Sequence, residues 1–475
     1  MSVIETVCPG SFVAENHFYP RVPNARLHPL VRSFLRLGNE RIALRYAHLH
    51  PEVERDAVLR LLQTSTRHFR WAGADLFHVT NERGVRQNVI IETNSSPSGQ
   101  KSMPLLDSED DLGGYRRLLE HSFLPMLKRR ALPRGRLAVL WDKNEIETTG
   151  YAAAMADLTG EDVLLVHLPS DGADHVQWDN GVLHVLHAGQ WTPIRAAMRY
   201  VTQRPWNRIP PIVKTAFLNP VLACLAGGRN KLVAAKAYDL FNAHWTGSGL
   251  RIRTPETIWD VTLPEIPLWV ERMGGVAVVK NPYSNAGQGV WTLTNPGELD
   301  AFMALPHRYD RFVVQGLVGN LRWTSRTRGQ RLYHVGTVPD RQGKIHVADL
   351  RFMVGQTPDG AIPVAIYARR ARLPLTESLD GSVPSWDMLG TNLSVKNEDG
   401  RFSTEPERLM LVDERDFSRL GLGLDDLTEA YLQTVMSMHA IDQMCLRLIN
   451  SKGRFRRRFF SSINPDPSLL AEVMQ

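Results

Sequence analysis

The sequence predicts a mixed α+β and α/β fold with a small parallel α/β unit inside it. Three observations predict it. Residues 75–94 read as a β-hairpin. Residues 136–166 read as strand, helix, strand. Residues 276–367 read as a run of strands interrupted by one glycine-rich loop. The chain has 475 residues, enough for about three units at roughly 100–200 residues each.

Composition narrows the class. Apolar residues make up 43% and charged residues 22%, which disfavours disorder and collagen-like repeats. The net charge is +6, and Lys452, Arg454, Arg456, Arg457 and Arg458 lie in one C-terminal stretch. The remainder is close to balanced, so a nucleic-acid or membrane partner gains little from the global charge. Cys8, Cys224 and Cys445 are far apart, without a CxxC or a Cys/His cluster, so neither a zinc site nor a disulfide framework is expected. No apolar run approaches about 18 residues, and no secretory signal is read at the N-terminus, so a cytoplasmic protein is expected.

The elements follow in order. Pro20, Pro23 and Pro29 break any early long element, and residues 52–69 carry Val53, Val58, Leu61 and Leu62 at helical spacing. The period then changes to strands at 75–79 and 85–94 around the turn Asn81-Glu-Arg-Gly84. The loop Ser95-Ser-Pro-Ser-Gly99 ends the hairpin. A charge-rich helical stretch leads to strand 136–140, helix 151–158 and strand 163–166, with no GxGxxG to support a dinucleotide site. Residues 230–242 read as a helix. Strands 276–280 and 290–293 flank the loop Asn281-Pro-Tyr-Ser-Asn-Ala-Gly-Gln-Gly289. Asn295 and Pro296 are placed to cap and open a helix. Strands at 312–314, 331–338, 344–354 and 361–367 and a long helix at 424–449 complete the chain.

Three constellations carry chemistry. On a strand, Glu92 and Asn94 point to one face. Pairing about the 81–84 turn sets Asp75 opposite Ile90, on that same face. Two carboxylates and an amide oxygen suit Mg²⁺, a hard ion; a solvated strand face is the plainer alternative. Lys280 precedes a loop with Gly287-Gln-Gly289, a pattern that can hold phosphates. The order excludes a P-loop, whose lysine opens a helix, and a protein kinase, whose glycine loop comes first. In the third, Asp349 and Arg351 share a face, and pairing about the Pro358-Asp-Gly360 turn sets Arg370 and Arg372 beside Arg351. Clustered guanidiniums stabilise phosphoryl-transfer charge. Arg369 reads as a solvated strand end.

Together these pieces resemble the ATP-grasp superfamily in its circularly permuted form, which includes glutathionylspermidine synthase-like proteins. Gly73-Ala-Asp75 and Glu92-Thr-Asn94-Ser-Ser-Pro97-Ser-Gly99 resemble the family's metal strands, here near the N-terminus. Residues 136–166 resemble the small unit preceding the grasp domain. Asn230-Lys231 and Val278-Val-Lys280 resemble the segments that supply two ATP lysines. Asn285-Ala-Gly-Gln-Gly289 resembles the lid loop, Val313-Val-Gln315 the strand beside adenine, Asp349-Leu-Arg351 the phosphate-facing arginine strand, and Asn392-Leu-Ser394 a downstream element. No acidic residue closely follows Gln315, where many members hold the ribose.

The resemblance implies four segments. Residues 1–135 would complete the grasp core, 136–229 form the pre-grasp unit, 230–310 the lid subdomain, and 311–475 the core subdomain with a basic tail. It implies an ATP-dependent carboxylate–amine ligase forming an amide through an acyl phosphate. Mg²⁺, with Mn²⁺ as an alternative, would sit on Asp75, Glu92 and Asn94. Lys231, Lys280, Ser284, Asn285, Gly287, Gln288, Gly289 and Gln315 would bind ATP, with Arg351 and either Arg370 or Arg372 acting on the reacting groups. The partners would be a small-molecule or peptide carboxylate and an amine. Two competing expectations are a phosphotransferase on the same fold and a nucleic-acid-binding segment at 454–460, where Phe455, Phe459 and Phe460 interleave with arginine.

Overall fold

In the computed structural model the described residues are 3–106, 112–129, 131–170, 172–202, 208–284, 287–379, 381, 383–396 and 402–473. Three large sheets carry the architecture. The first orders Ile4–Val7, Val163–His167, Arg136–Trp141, Gln190–Tyr200, Val182–His187 and Val176–Asp179, with Ala216–Leu218 joined to Gln190–Tyr200. Its centre is parallel: Arg136–Trp141 runs alongside both Val163–His167 and Gln190–Tyr200. The helix Glu145–Thr159 makes the crossover and ends at Gly160, whose φ of +66° is the left-handed stop that glycine supplies cheaply. The strand–helix–strand expectation is met. The antiparallel pair 176–187 is an addition to it; it turns at Asn180-Gly181, a strong hairpin dipeptide whose residues sit at φ +47° and +79°.

The second sheet is antiparallel, in the order Thr257–Val261, Phe312–Gly316, Ala277–Lys280, Val290–Leu293. It encloses its own small core of Val261, Ile266, Val270, Ala277, Val279, Phe302, Phe312 and Val314. Asn295 caps the helix Pro296–Met303 by accepting from the Glu298 N–H at 3.0 Å, with proline at the first helical position.

The third sheet joins distant parts of the chain. Trp71–Asn81 is central, flanked by Arg86–Asn94 on one side and by Ala348–Thr357 and Leu332–His334 on the other. Gly360–Arg370 and Leu409–Met410 follow outward. The long helix Leu424–Arg447 lies against Arg86–Asn94, Trp71–Asn81 and the helix Lys231–Trp245. One continuous core serves the first and third sheets. Among the described residues no helix is long and apolar enough to cross a membrane.

The basic C-terminal stretch is packed onto this core. Phe460 is fully buried, and Phe455 and Phe459 are partly buried against the same core. The phenylalanines expected to interleave as a nucleic-acid platform are therefore turned into the protein.

Candidate functional site

Both hairpins of the third sheet contain a β-bulge, and the bulges decide which side chains meet. In Trp71–Asn81/Arg86–Asn94, pairing from the turn sets Leu76 opposite Ile90, one residue away from the expected register. A bulge between Asp75 and Leu76 then adds a residue, so Asp75 faces Glu92 and Gly73 faces Asn94. The shared face survives, with Glu92 rather than Ile90 as the neighbour of Asp75. In Ala348–Thr357/Gly360–Arg370 a bulge between Met353 and Val354 reverses the parity instead. Arg351 faces Tyr367, and Asp349 faces Arg369. Arg370 pairs with Ala348 on the opposite face and lines a separate depression with His346 and Arg419. Arg372 lies outside the strand and bonds Asp387 at 3.1 Å and Glu405 at 2.8 Å. Arg370 and Arg372 are thus displaced from the site by one residue of register, and Arg369 takes the position.

The result is a row across four strands, Tyr367–Arg351–Asp75–Glu92, with Arg369–Asp349 as its neighbour. Arg351 donates to both Asp75 oxygens, Nε at 2.5 Å and Nη2 at 2.6 Å, and Arg369 approaches the same carboxylate at 3.0 Å. Arg369 also forms a two-point pair with Asp349. Burial alone would raise the Asp75 carboxyl; the guanidiniums of Arg351 and Arg369 outweigh it and hold the pKa far below the ordinary range. Asp75 is therefore an arginine partner here, because Arg351 is its direct neighbour across the sheet.

Glu92 points toward Lys231, whose Nζ lies 3.4 Å from Oε1. Lys231 opens the helix that Asn230 caps, and its ammonium donates to the Ser284 hydroxyl at 2.9 Å and carbonyl at 3.2 Å. Lys280 donates to the Ile91 carbonyl at 3.0 Å and to Gln315 Oε1 at 2.7 Å, while Gln315 donates on to Thr257 at 2.8 Å. Burial presses the Lys280 pKa down to about 8; nearby Lys231 adds to this, and Glu92 and Asp75 oppose it.

These groups line a cleft between the second and third sheets. Its apolar lining is Phe77, Val278, Leu317, Val318 and Leu389, with Gln315, and Asp75, Asp349 and Arg369 also line it. Lys231, Lys280 and Glu92 complete its charged lining. The glycine loop forms a wall. Gly287 has φ +76°, and a Cβ there would lie 2.7 Å from the Asn392 amide; Gly289 has φ +69°, and a Cβ there would lie 2.5 Å from the Asn281 amide. Gln288 is exposed, and Asn285 lies outside the described residues.

Asn94 is buried at 4% exposure, and its Nδ2 has no partner among the described residues. Glu92 and Asn94 both line a second cavity on the other side of the row, with Lys101, Lys143 and Arg229. The loop after Asn94 is held by Glu147. Its carboxylate accepts from the N–H groups of Gly99 at 2.7 Å and Gln100 at 2.8 Å and from the Ser98 hydroxyl at 2.6 Å. No group of three or more His, Cys, Asp or Glu suited to a metal occurs among the described residues. A carboxylate and an amide oxygen on one strand do suit a hard divalent ion that keeps other oxygen ligands, so Glu92 and Asn94 fit Mg²⁺ and the arginine-bound Asp75 does not. The sequence reading placed Asp349 beside Arg351 without a role, took Arg369 for a solvated strand end although it is 5% exposed, and gave Lys143 and Glu147 no place. The signal for Asp349 was its spacing to Arg351 on an alternating strand; Lys143 and Glu147 carried none.

No protein-family model matches the chain, and no curated protein matches it. Solved structures do. A glutathione synthetase-like effector from Globodera pallida is 8% identical at a TM-score of 0.41, covering 75% of this chain and 88% of that one. A RimK domain ATP-grasp protein from Sphaerobacter thermophilus DSM 20745 is 16% identical at 0.28, covering 49% and 90%. D-alanyl-alanine synthetase A from Vibrio cholerae is 10% identical at 0.29, covering 64% and 99%. All three fall under a TM-score of 0.5 and carry no functional weight.

Proposed function

We propose that the cleft between the second and third sheets binds ATP and that the protein is an ATP-dependent carboxylate–amine ligase on a circularly permuted ATP-grasp fold. One observation carries this reading: a single cleft brings apolar side chains around Gln315 together with Lys231 and the buried Lys280 beside a glycine loop. A purine fits the first part and a polyphosphate the second.

In this reading Lys231 and Lys280 hold the phosphates, and the loop through Gly287 and Gly289 closes over them to keep water out. Glu92 and Asn94 would hold Mg²⁺ or Mn²⁺, which when bound neutralises phosphate charge. A carboxylate oxygen of the acid attacks the γ-phosphorus and ADP leaves. Arg351, fixed by Asp75 and facing the second cavity, supplies positive charge beside the acyl phosphate. The amine nitrogen then attacks the carbonyl carbon, phosphate leaves, and the nitrogen gives up a proton as the amide forms. Arg369 takes the second arginine role, because it shares the face of Arg351.

The test is ADP release with panels of acids, amines and hydroxyl compounds. Release that needs an acid and an amine together is expected. Release with a hydroxyl acceptor alone would instead make the protein a phosphotransferase.

A further inference from the structure

We propose that a depression on the other face of the third sheet binds a small organic phosphate monoester through Arg370. It shares no lining residue with the cleft or the second cavity, so it does not rest on the ligase reading. The bulge beside Met353 places its central group. With Arg369 turned to Asp349 and Asp75, Arg370 emerges on the opposite face of the same strand. The wall around it is fixed. Asp340 accepts from the N–H groups of Gln342 at 2.8 Å and Lys344 at 2.9 Å, and Gly343 takes φ +73°. The Thr337 N–H closes this loop on the His346 carbonyl at 2.9 Å. The Val338 N–H ties it to the Arg419 carbonyl at 2.8 Å.

Charge and room define the ligand. Arg21, Arg341, Lys344, Arg370, Arg415 and Arg419 line the depression against Asp340, Glu407 and Asp416. Asp416 is shared by Arg21 at 2.6 Å and by Arg415 and Arg419 at 3.8 Å each. Asp413, outside the lining, reaches Arg21 at 3.9 Å. With Asp413 counted, six cations meet four carboxylates, an excess of two positive charges among the described residues. Arg370 is half-buried, and its guanidinium has no hydrogen bond or ion pair among the described residues. Beside it lies the His346 ring, whose Nδ1 donates to the Ala371 carbonyl at 3.3 Å. Burial, and then Arg370, lower the His346 pKa, and the ring offers no negative charge in either form. A half-buried cation in such surroundings is costly unless an anion arrives with a ligand. A phosphate monoester carries about 1.5–2 negative charges at pH 7, which matches the excess. The planar fork of arginine pairs with its oxygens two at a time. The depression holds about 850 Å³, more than a phosphate group fills, and Val338, Pro339, Leu409 and Met410 give it apolar lining. The phosphate therefore arrives on an organic body.

Calorimetric titration of the full-length protein with glucose 6-phosphate, phenyl phosphate, inorganic phosphate and glucose tests this, with a fluorescent ATP analogue as an independent probe of the first cleft. At least one ester should bind, more tightly than inorganic phosphate, and glucose should not. Arg370→Ala should weaken the ester at least about tenfold, as the loss of one charge-assisted contact requires. Arg370→Lys should keep part of the affinity, since it retains the charge and loses the fork. Both variants should bind the ATP analogue as the wild type does, and Lys231→Met should lose the analogue and keep the ester. No heat with either ester, ester binding unchanged in Arg370→Ala, or ester binding lost in Lys231→Met would each overturn the proposal. Inorganic phosphate binding as tightly as the esters would overturn the organic ligand. Ester binding that persists when the wild type fails to bind the ATP analogue would remove the ligase reading and leave this one standing.

Discussion

Asp75 is held by two guanidiniums and Glu92 by one ammonium, and the two carboxylates respond differently to substitution for that reason. Asp75→Asn leaves Arg351 and Arg369 buried with Asp349 as the remaining carboxylate. Breaking a buried pair this way costs about 3–5 kcal/mol, so thermal denaturation should show a large loss. Glu92 is partly exposed, and its contact with Lys231 is 3.4 Å. Glu92→Gln should therefore stay within about 1 kcal/mol of the wild type in stability while losing ATP hydrolysis. Unchanged turnover in that variant would remove Glu92 from the metal site. Lys280 supplies a pH signature. Its ordinary pKa of 10.5 falls to about 8 on folding, so between those values the unfolded chain binds a proton that the folded chain does not. Stability must then rise with pH across that window, and below pH 8 the cost of burying the ammonium, of the order of 3 kcal/mol, is felt in full. Lys280→Met should flatten the slope between pH 8 and 10 in urea titrations; an identical slope in both proteins would show that Lys280 is not its source.

At the scale of elements, two β-bulges separate what the sequence discloses from what it does not. Alternation and turn position set the face of Glu92 and Asn94, and the bulge beside Asp75 happened to restore the face that a one-residue register shift would have lost. The same device beside Met353 reversed the second hairpin, placing Arg369 where Arg370 was expected. The one local mark of this bulge is Pro363, next to the extra residue Val364, because a proline inside a paired strand sits at an edge or a bulge; it does not by itself say which face the following arginines take. Helices 231–245 and 424–447 were legible from their 3.6-residue period, and the Asn295–Pro296 start from capping chemistry. The ion pairs around Asp75 were not, since they join residues almost 300 positions apart. The glycines at the open end of the first hairpin do have a readable physical reason. A Cβ on Gly73 would sit 2.4 Å from Pro97 Cβ, and one on Gly99 would sit 2.2 Å from Met353 Cε. Gly73→Ala should cost about 1–3 kcal/mol through overpacking, and Pro97→Gly in the same chain should recover part of it. Strictly additive losses in a denaturant cycle would show that the two residues do not press on one another.

For the whole molecule, the feature that matters is that the second sheet keeps its own core while the first and third share one. The cleft lies where the small core meets the large one, so a ligand there binds two bodies that pack separately. Its lysines come from both sides: Lys231 from the helix packed on the long helix of the large core, Lys280 from the small sheet. A nucleotide bridging them should tie the small sheet down more than it tightens the large core. Binding at one hundred times the dissociation constant adds about 2.7 kcal/mol, which for a chain of this size corresponds to a rise of about 3 °C in the melting temperature. Hydrogen exchange should slow chiefly in Ala277–Lys280, Val290–Leu293 and Phe312–Gly316, and should change little in Arg136–Trp141 and Val163–His167. Lys231→Met should abolish both the shift and the protection without altering exchange in the parallel strands. Protection spread evenly over all three sheets would mean that the small sheet is already rigid against the rest, and that the cleft binds its ligand without closing on it.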